Sequence, residues 1–262
     1  MSLRAWCPST VVNPFSEHSL GVICLVVLLA ESILQKMKAE NEGLSEGVWV
    51  EEINNAALDE FERNQSAYKN GFVKIMPHAA VFPRGFTSCE KTIQEFEVRE
   101  DDVFVASFPK CGTTWTQEMV WNIVNDLDFE KAKSVPQEER MPFIEISALI
   151  KDAMSGKLSL SCHKSCHSCH AMSGVPDSLD AANNMPHSEP RVLKTHFCYD
   201  MLPKQVRDKK PKIIYVTRNP RDAVVSFCNH WKVLCGYTGK LTRRFCCGVV
   251  VLLCYCFVLL HR

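Results

Sequence analysis

The chain has 262 residues, 46% hydrophobic and 23% charged, with 30 Lys and Arg set against 30 Asp and Glu. That length holds one large α/β domain or two small ones, and the composition is that of an ordinary soluble globular protein. A net charge of zero excludes the broad basic field of a nucleic-acid binder, so any anion site must be local.

The first feature along the chain is an apolar run, Leu20 to Ala30 (LGVICLVVLLA), whose 11 residues fall short of the about 20 that cross a bilayer. The length suits the core of a signal peptide. The preceding segment, however, holds only Arg4 as a basic residue, and no small-x-small cleavage site follows. The competing reading is a buried helix, or an extension ahead of the polar stretch that opens at Met37.

Val103 to Ser107 (VFVAS) is a short apolar run of β-formers and predicts a buried strand. Beyond it, Trp115, Met119, Val120, Ile123, Val124 and Leu127 trace one face of a helix. Residues 155–190 are rich in Ser, Gly, Asn and Pro and predict a loop with one short helix. Arg191–Thr195 and Lys212–Thr217 predict two more strands. The second runs into Asn219 and Pro220, an N-cap followed by a first-turn proline, and Val224, Phe227, Cys228 and Trp231 mark the next apolar helix face. Strands alternating with helices predict a three-layer αβα fold whose mostly parallel sheet is covered on both faces.

The chain closes on FCCGVVVLLCYCFVLLHR, apolar almost without break from Phe245 to Leu260 and flanked by Arg243, Arg244 and Arg262. This reads either as a membrane tail anchor or as an end standing in place of the rest of a domain. The 14 cysteines are clustered rather than spread, and a core of this size needs no disulfides. Reduced thiols in a cytoplasmic setting are expected.

The chemistry concentrates in FPKCGTTW, Phe108 to Trp115. A strand that feeds a glycine-bearing turn into a helix sets unpaired N–H groups at the helix N-terminus, where the dipole also favours negative charge. Pro109 ends the strand and Gly112 permits close approach of an anion. Thr113 and Thr114 add hydroxyls, and Lys110 adds a mobile charge. The nucleoside-triphosphate loop G-x-x-x-x-G-K-[ST] does not fit, because Lys110 precedes Gly112 instead of following it. In CHKSCHSCH, Cys162 to His170, the spacings 166–169 and 163–167 are compatible with zinc. One short loop rarely supplies a whole site, however, and no metal is expected.

Phe108–Trp115 resembles the 5′-phosphosulfate loop of the cytosolic sulfotransferases, which use 3′-phosphoadenosine 5′-phosphosulfate as donor. Arg191–Phe197 (RVLKTHF) resembles that family's segment with the catalytic histidine, and Tyr215–Lys232 (YVTRNPRDAVVSFCNHWK) resembles its 3′-phosphate strand and helix. The three matches occur in family order, and the likeness spans Phe72 to Gly239. It implies a sulfotransferase-like fold in 46–240, between an N-terminal extension (1–45) and an apolar tail (241–262). It also implies sulfuryl transfer to a hydroxyl of a small acceptor such as a phenol, steroid or other alcohol. By the same likeness, His196 is the general base, with Lys110 and Lys194 on the transferring group. The N–H groups of Cys111, Gly112 and Thr113, with the Thr113 and Thr114 hydroxyls, cradle the 5′-phosphate. Trp115 lies by the adenine, and Arg218 and Ser226 grip the 3′-phosphate. The family's chain continues past the last matching piece, LCGYTGK, with a late Arg-Lys-Gly segment that completes the 3′-phosphate site. An alternative is therefore a non-catalytic nucleotide-binding relative, attached to a membrane through 245–260 or not.

Overall fold

Two three-stranded sheets organise the computed structural model, in which residues 43–235 are described apart from 66, 69 and 150–176. The chain divides into two units, Met1–Glu42 and Gly43–Arg262, and every described residue belongs to the second. The first sheet is antiparallel: β1 (Trp49–Glu52), β2 (Phe72–Met76) and β3 (Ala80–Pro83), paired in that order. The sequence pattern gives no sign of it. Its strands are four or five residues long, and β1 (WVEE) carries no apolar alternation for a period-two pattern to detect.

The second sheet is parallel and consists of the three predicted strands, β4 (Val103–Ser107), β5 (Val192–Thr195) and β6 (Lys212–Val216), in the order β5–β4–β6. Central β4 is buried at every position. Phe104 faces a core with Val73, Ile75, Phe86, Leu193 and Phe197, while Val103 and Val105 face another with Val120, Trp121, Met141 and Val192. Cover on both sides is why β4 reads as an unbroken apolar run rather than an alternation. Phe82 stacks on Phe86 at 4.2 Å, and both meet Phe197 edge-on at 5.8 Å. Each such pair adds about 0.5–1.5 kcal/mol beyond area burial, which fixes the chain directly after position 196.

Helix α1 (Thr113–Val124) corrects the predicted apolar face. It buries Thr113, Gln117, Val120 and Trp121, while Trp115, Met119 and Ile123 are exposed, as is Leu127 beyond its end. The reason is a tether at its first residue, where the Thr113 and Ser107 hydroxyls are hydrogen-bonded. That bond turns the 113–117–120–121 side towards the sheet. Arg140 completes the packing, 4.3 Å over the Trp121 ring and paired with Glu118 at 2.8 Å.

The predicted short helix is α2 (Ser178–Asn183), capped by Asp177, whose carboxylate accepts the Leu179 N–H at 3.0 Å. Helix α3 (Pro220–Cys235) starts at the predicted proline, and Asn219 Oδ1 accepts the Arg221 N–H at 3.0 Å. Its buried positions include Ala223, Phe227 and Cys228. Among the described residues β6 is an edge strand of the parallel sheet, and its Ile213, Ile214 and Tyr215 are exposed. The apolar runs 20–30 and 245–260 and the Cys-His cluster 162–170 lie outside the described residues. Among the described residues no helix is long and apolar enough to cross a membrane, and no group of His, Cys, Asp or Glu could hold a metal.

Candidate active site at the carboxyl edge of the parallel sheet

The parallel register aligns three strand ends. Thr195 of β5 lies beside Ala106 of β4, and Val216 of β6 lies beside Ser107. The chain leaving them carries the 108–112 turn, His196 and Arg218, at the edge where α/β sheets form their crevices.

In the turn, Lys110 (φ 68°) and Gly112 (φ 104°) are both left-handed, and the Cys111 N–H bonds the Phe108 carbonyl at 3.3 Å. Gly112 is the N-cap of α1, and a Cβ placed there would meet no atom within 4 Å. The space over the helix terminus is therefore open. The first helical bond is Thr116 N–H to the Gly112 carbonyl, at 3.1 Å, so the N–H groups of Thr113, Thr114 and Trp115 precede the ladder. Lys110, Thr114 and Trp115 are exposed, the last at 79%. The Thr113 hydroxyl is buried against Ser107. Burial pushes the Cys111 thiol up, against the pull of Arg218, so this side chain stays neutral.

Arg218 closes the turn from the β6 side, its Nη1 donating to the Lys110 carbonyl at 3.1 Å. Phe227 of α3 meets Phe108 edge-on at 5.4 Å, and Ser226 precedes it, half-buried, in the same helical turn.

His196 sits behind the turn. Its Nδ1 is 2.8 Å from the Ser107 carbonyl and 3.3 Å from the Ser107 hydroxyl. A carbonyl only accepts, so Nδ1 carries the proton and Nε2 keeps the lone pair. Burial and then Lys194 push this imidazole down to about 3, which leaves it neutral at physiological pH. Phe143 packs edge-on to the His196 ring at 5.0 Å and lies under the Lys194 ammonium at 4.2 Å. Burial lowers Lys194, Glu145 and Glu138 raise it, and Lys110 lowers it again. His230 of α3 is lowered by burial, then by Lys110 and Lys194. Lys110, Lys194, His196 and His230 thus share one electrostatic neighbourhood that an anion would relieve.

The structure therefore brings together Lys110, Cys111, Gly112, Thr113, Thr114, Lys194, His196 and Arg218, with Trp115 and Ser226 on the two helices that frame them. Sequence reasoning missed Ser107, Phe143, Glu145 and His230. His230 carried a usable signal, four residues after Ser226 on one helix. Phe143 and Glu145 come from MPFIE, which matches no motif.

The α/β fold sets an anion-ready turn and a neutral imidazole at one sheet edge, and comparison with known proteins supplies the family. The profile of the Sulfotransferase domain matches residues 100–250, more than half of the 262, and the chain belongs to that family. It is 35% identical over 170 residues to luciferin sulfotransferase of Photinus pyralis, covering 64% of this chain and 43% of that one. With sulfotransferase 1E1 of Homo sapiens it shares 30% over 183 residues, 70% of this chain and 50% of that one. Among solved structures, retinol dehydratase in a complex with retinol and PAP superposes with a TM-score of 0.67 at 26% identity, over 80% of this chain and 63% of that one. The chain spans about half the length, or less, of these curated relatives.

Proposed function

We propose that this chain carries a sulfotransferase site that moves a sulfuryl group from 3′-phosphoadenosine 5′-phosphosulfate to the hydroxyl of a small acceptor. One observation carries the reading: a neutral imidazole with its Nε2 lone pair preserved stands directly behind an anion-ready turn, fixed by the Ser107 carbonyl at 2.8 Å.

The donor supplies an activated sulfuryl group on a 5′-phosphate; the chain supplies position and charge. The N–H groups of Gly112 and Thr113, with the exposed Thr114 hydroxyl, hold the 5′-phosphate, while the Cys111 N–H serves the turn through the Phe108 carbonyl. Trp115 offers its exposed ring to the adenine. Arg218, already anchored to the loop, and Ser226 hold the 3′-phosphate. Nε2 of His196 takes the acceptor's proton as the new O–S bond forms. The S–O bond to the phosphate breaks in line, and Lys110 and Lys194 balance the charge that collects there. An entering anion raises His196 from its depressed value and makes it a better base in the loaded site.

On the same reading, residues 46–240 form the transferase domain. A reducing, cytoplasmic setting goes with this reading, in keeping with cysteines that are clustered in the sequence rather than spread. The decisive assay is radiolabelled sulfate transfer to a panel of phenols and alcohols, with wild type beside His196→Ala, and with thermal shift by PAP. Transfer lost in the variant, with the shift retained, supports the reading. Equal transfer removes His196 from its role, and a shift without any transfer makes the chain a nucleotide binder.

A further inference from the structure

We propose that Ser107 is a positioning residue that links donor to base: its hydroxyl accepts from His196 Nδ1–H and donates to the Thr113 hydroxyl, whose own hydrogen is left for an anion in the turn. The proposal rests on the transfer reading for its effect on rate, though not for the direction in which these hydrogens point.

Three side chains meet behind the turn. The Ser107 and Thr113 hydroxyls are hydrogen-bonded, and Ser107 Oγ lies 3.3 Å from His196 Nδ1. The shorter contact of Nδ1, 2.8 Å to the Ser107 carbonyl, places a hydrogen on that nitrogen. Nδ1 then has no lone pair to offer, so Ser107 Oγ can only accept from it, as the longer arm of a shared bond. The Ser107 hydrogen must go elsewhere. Ser107 is 0% exposed, and among the described residues the Thr113 hydroxyl is the other partner within reach of its Oγ. Were Thr113 the donor, the Ser107 hydrogen would be enclosed without an acceptor, which is the costly arrangement. Ser107 therefore donates to Thr113. The hydrogen left over is that of Thr113, on the first residue of α1, beside the open space over Gly112.

The direction of these bonds gives the link its use. An anion that accepts the Thr113 hydrogen polarises that hydroxyl and makes its oxygen a stronger acceptor for Ser107. Ser107 Oγ in turn becomes a stronger acceptor for Nδ1–H, and the ring gains basicity at Nε2. No proton leaves any of the three groups; each hydroxyl stays a donor to the next. Filling the donor turn thus strengthens the base through two hydroxyls, and an empty turn leaves it weak. The Ser107–Thr113 bond also sets the rotation of α1, so one side chain orients both the anion helix and the imidazole.

The test uses the full chain with PAP as the probe, and the variants Ser107→Ala, Ser107→Thr and Thr113→Val. The readout is the NMR proton resonance of His196 Nδ1–H, assigned with His196→Gln, which moves downfield as its hydrogen bond strengthens. In unliganded Ser107→Ala it moves upfield, while the ring-nitrogen shifts keep the same tautomer because the carbonyl remains. PAP moves it downfield in wild type. Ser107→Ala and Thr113→Val each lose most of that response, and the double variant loses no more than either single one. Ser107→Thr restores it. In Ser107→Ala, kcat falls about 3–10-fold with the acceptor KM little changed. An equal PAP response in Ser107→Ala and wild type overturns the proposal even if kcat falls, because loosened packing alone would give that result. PAP binding without transfer overturns the transfer reading alone, and the resonance still decides the role of Ser107. A wild type that does not bind PAP overturns both. Should Ser107→Ala not fold, the near-isosteric Thr113→Val decides by the same response.

Discussion

Asp102→Ala is expected to destabilise this protein more than any substitution in its anion turn. Asp102 is 0% exposed and Arg191 is 1% exposed. Two bonds of 2.7 Å join them, from Arg191 Nε to Oδ1 and from Nη2 to Oδ2, and Oδ2 also accepts the Arg99 N–H at 2.8 Å. Removing the carboxylate leaves a buried guanidinium with the Ala182 and Glu97 carbonyls, at 3.1 and 2.9 Å, and the Phe96 face at 5.1 Å. None of these carries a compensating charge. Breaking one side of such a pair costs about 3–5 kcal/mol, or a melting temperature about 6–20 °C lower at this chain size. Thermal denaturation followed by circular dichroism measures it. The pair stands at the starts of β4 and β5 while the site lies at their far ends, so the folded fraction should bind PAP as wild type does. A loss below about 1 kcal/mol would refute the reasoning. So would a double variant Asp102→Ala/Arg191→Met that is no more stable than the single one, because removing both charges should recover stability.

Stability should also vary with pH in a defined way. Glu145 is pushed up from 4.5 to about 8 by burial, so its stabilising contribution is complete below 4.5 and lost as pH rises to about 8. His196 is pushed down from 6.5 to about 3, so its contribution is complete above 6.5 and lost as pH falls towards 3. The two slopes cancel between 4.5 and 6.5, and outside that window urea unfolding should show a loss of about 1.4 kcal/mol per pH unit. His196→Gln should remove the acid limb and Glu145→Gln the alkaline one. Gly112→Ala forces an L side chain to φ 104°, with a penalty of about 1–2 kcal/mol and loss of the PAP thermal shift as the methyl enters the anion space. Arg218→Ala should weaken PAP binding about 10–100-fold by calorimetry while leaving unliganded stability within about 0.5 kcal/mol, since the side chain is exposed.

The parallel strands, the turn and the capped start of α3 were all legible in the sequence because local chemistry dictates them. An apolar run stopped by Pro109, a Gly at 112 and an Asn-Pro pair at 219–220 act over a few residues each. The rotation of α1 was not legible, since a tertiary bond between Ser107 and Thr113 overrides the apolar stripe of Trp115, Met119 and Ile123. Of the site, the motif residues could be read, and their neighbours could not. Phe143 and Glu145 reach His196 through a strand-like pairing with Lys194 across about 50 residues of sequence. No spacing rule spans that distance.

The oxygen that fixes the His196 tautomer belongs to the peptide backbone of residue 107. No side-chain replacement at that position can delete it, so drift in the coding sequence there would alter the hydroxyl network and spare the protonation pattern of the imidazole. The most chemically demanding feature of the pocket is thereby shielded from ordinary point mutation and depends only on β4 keeping its course.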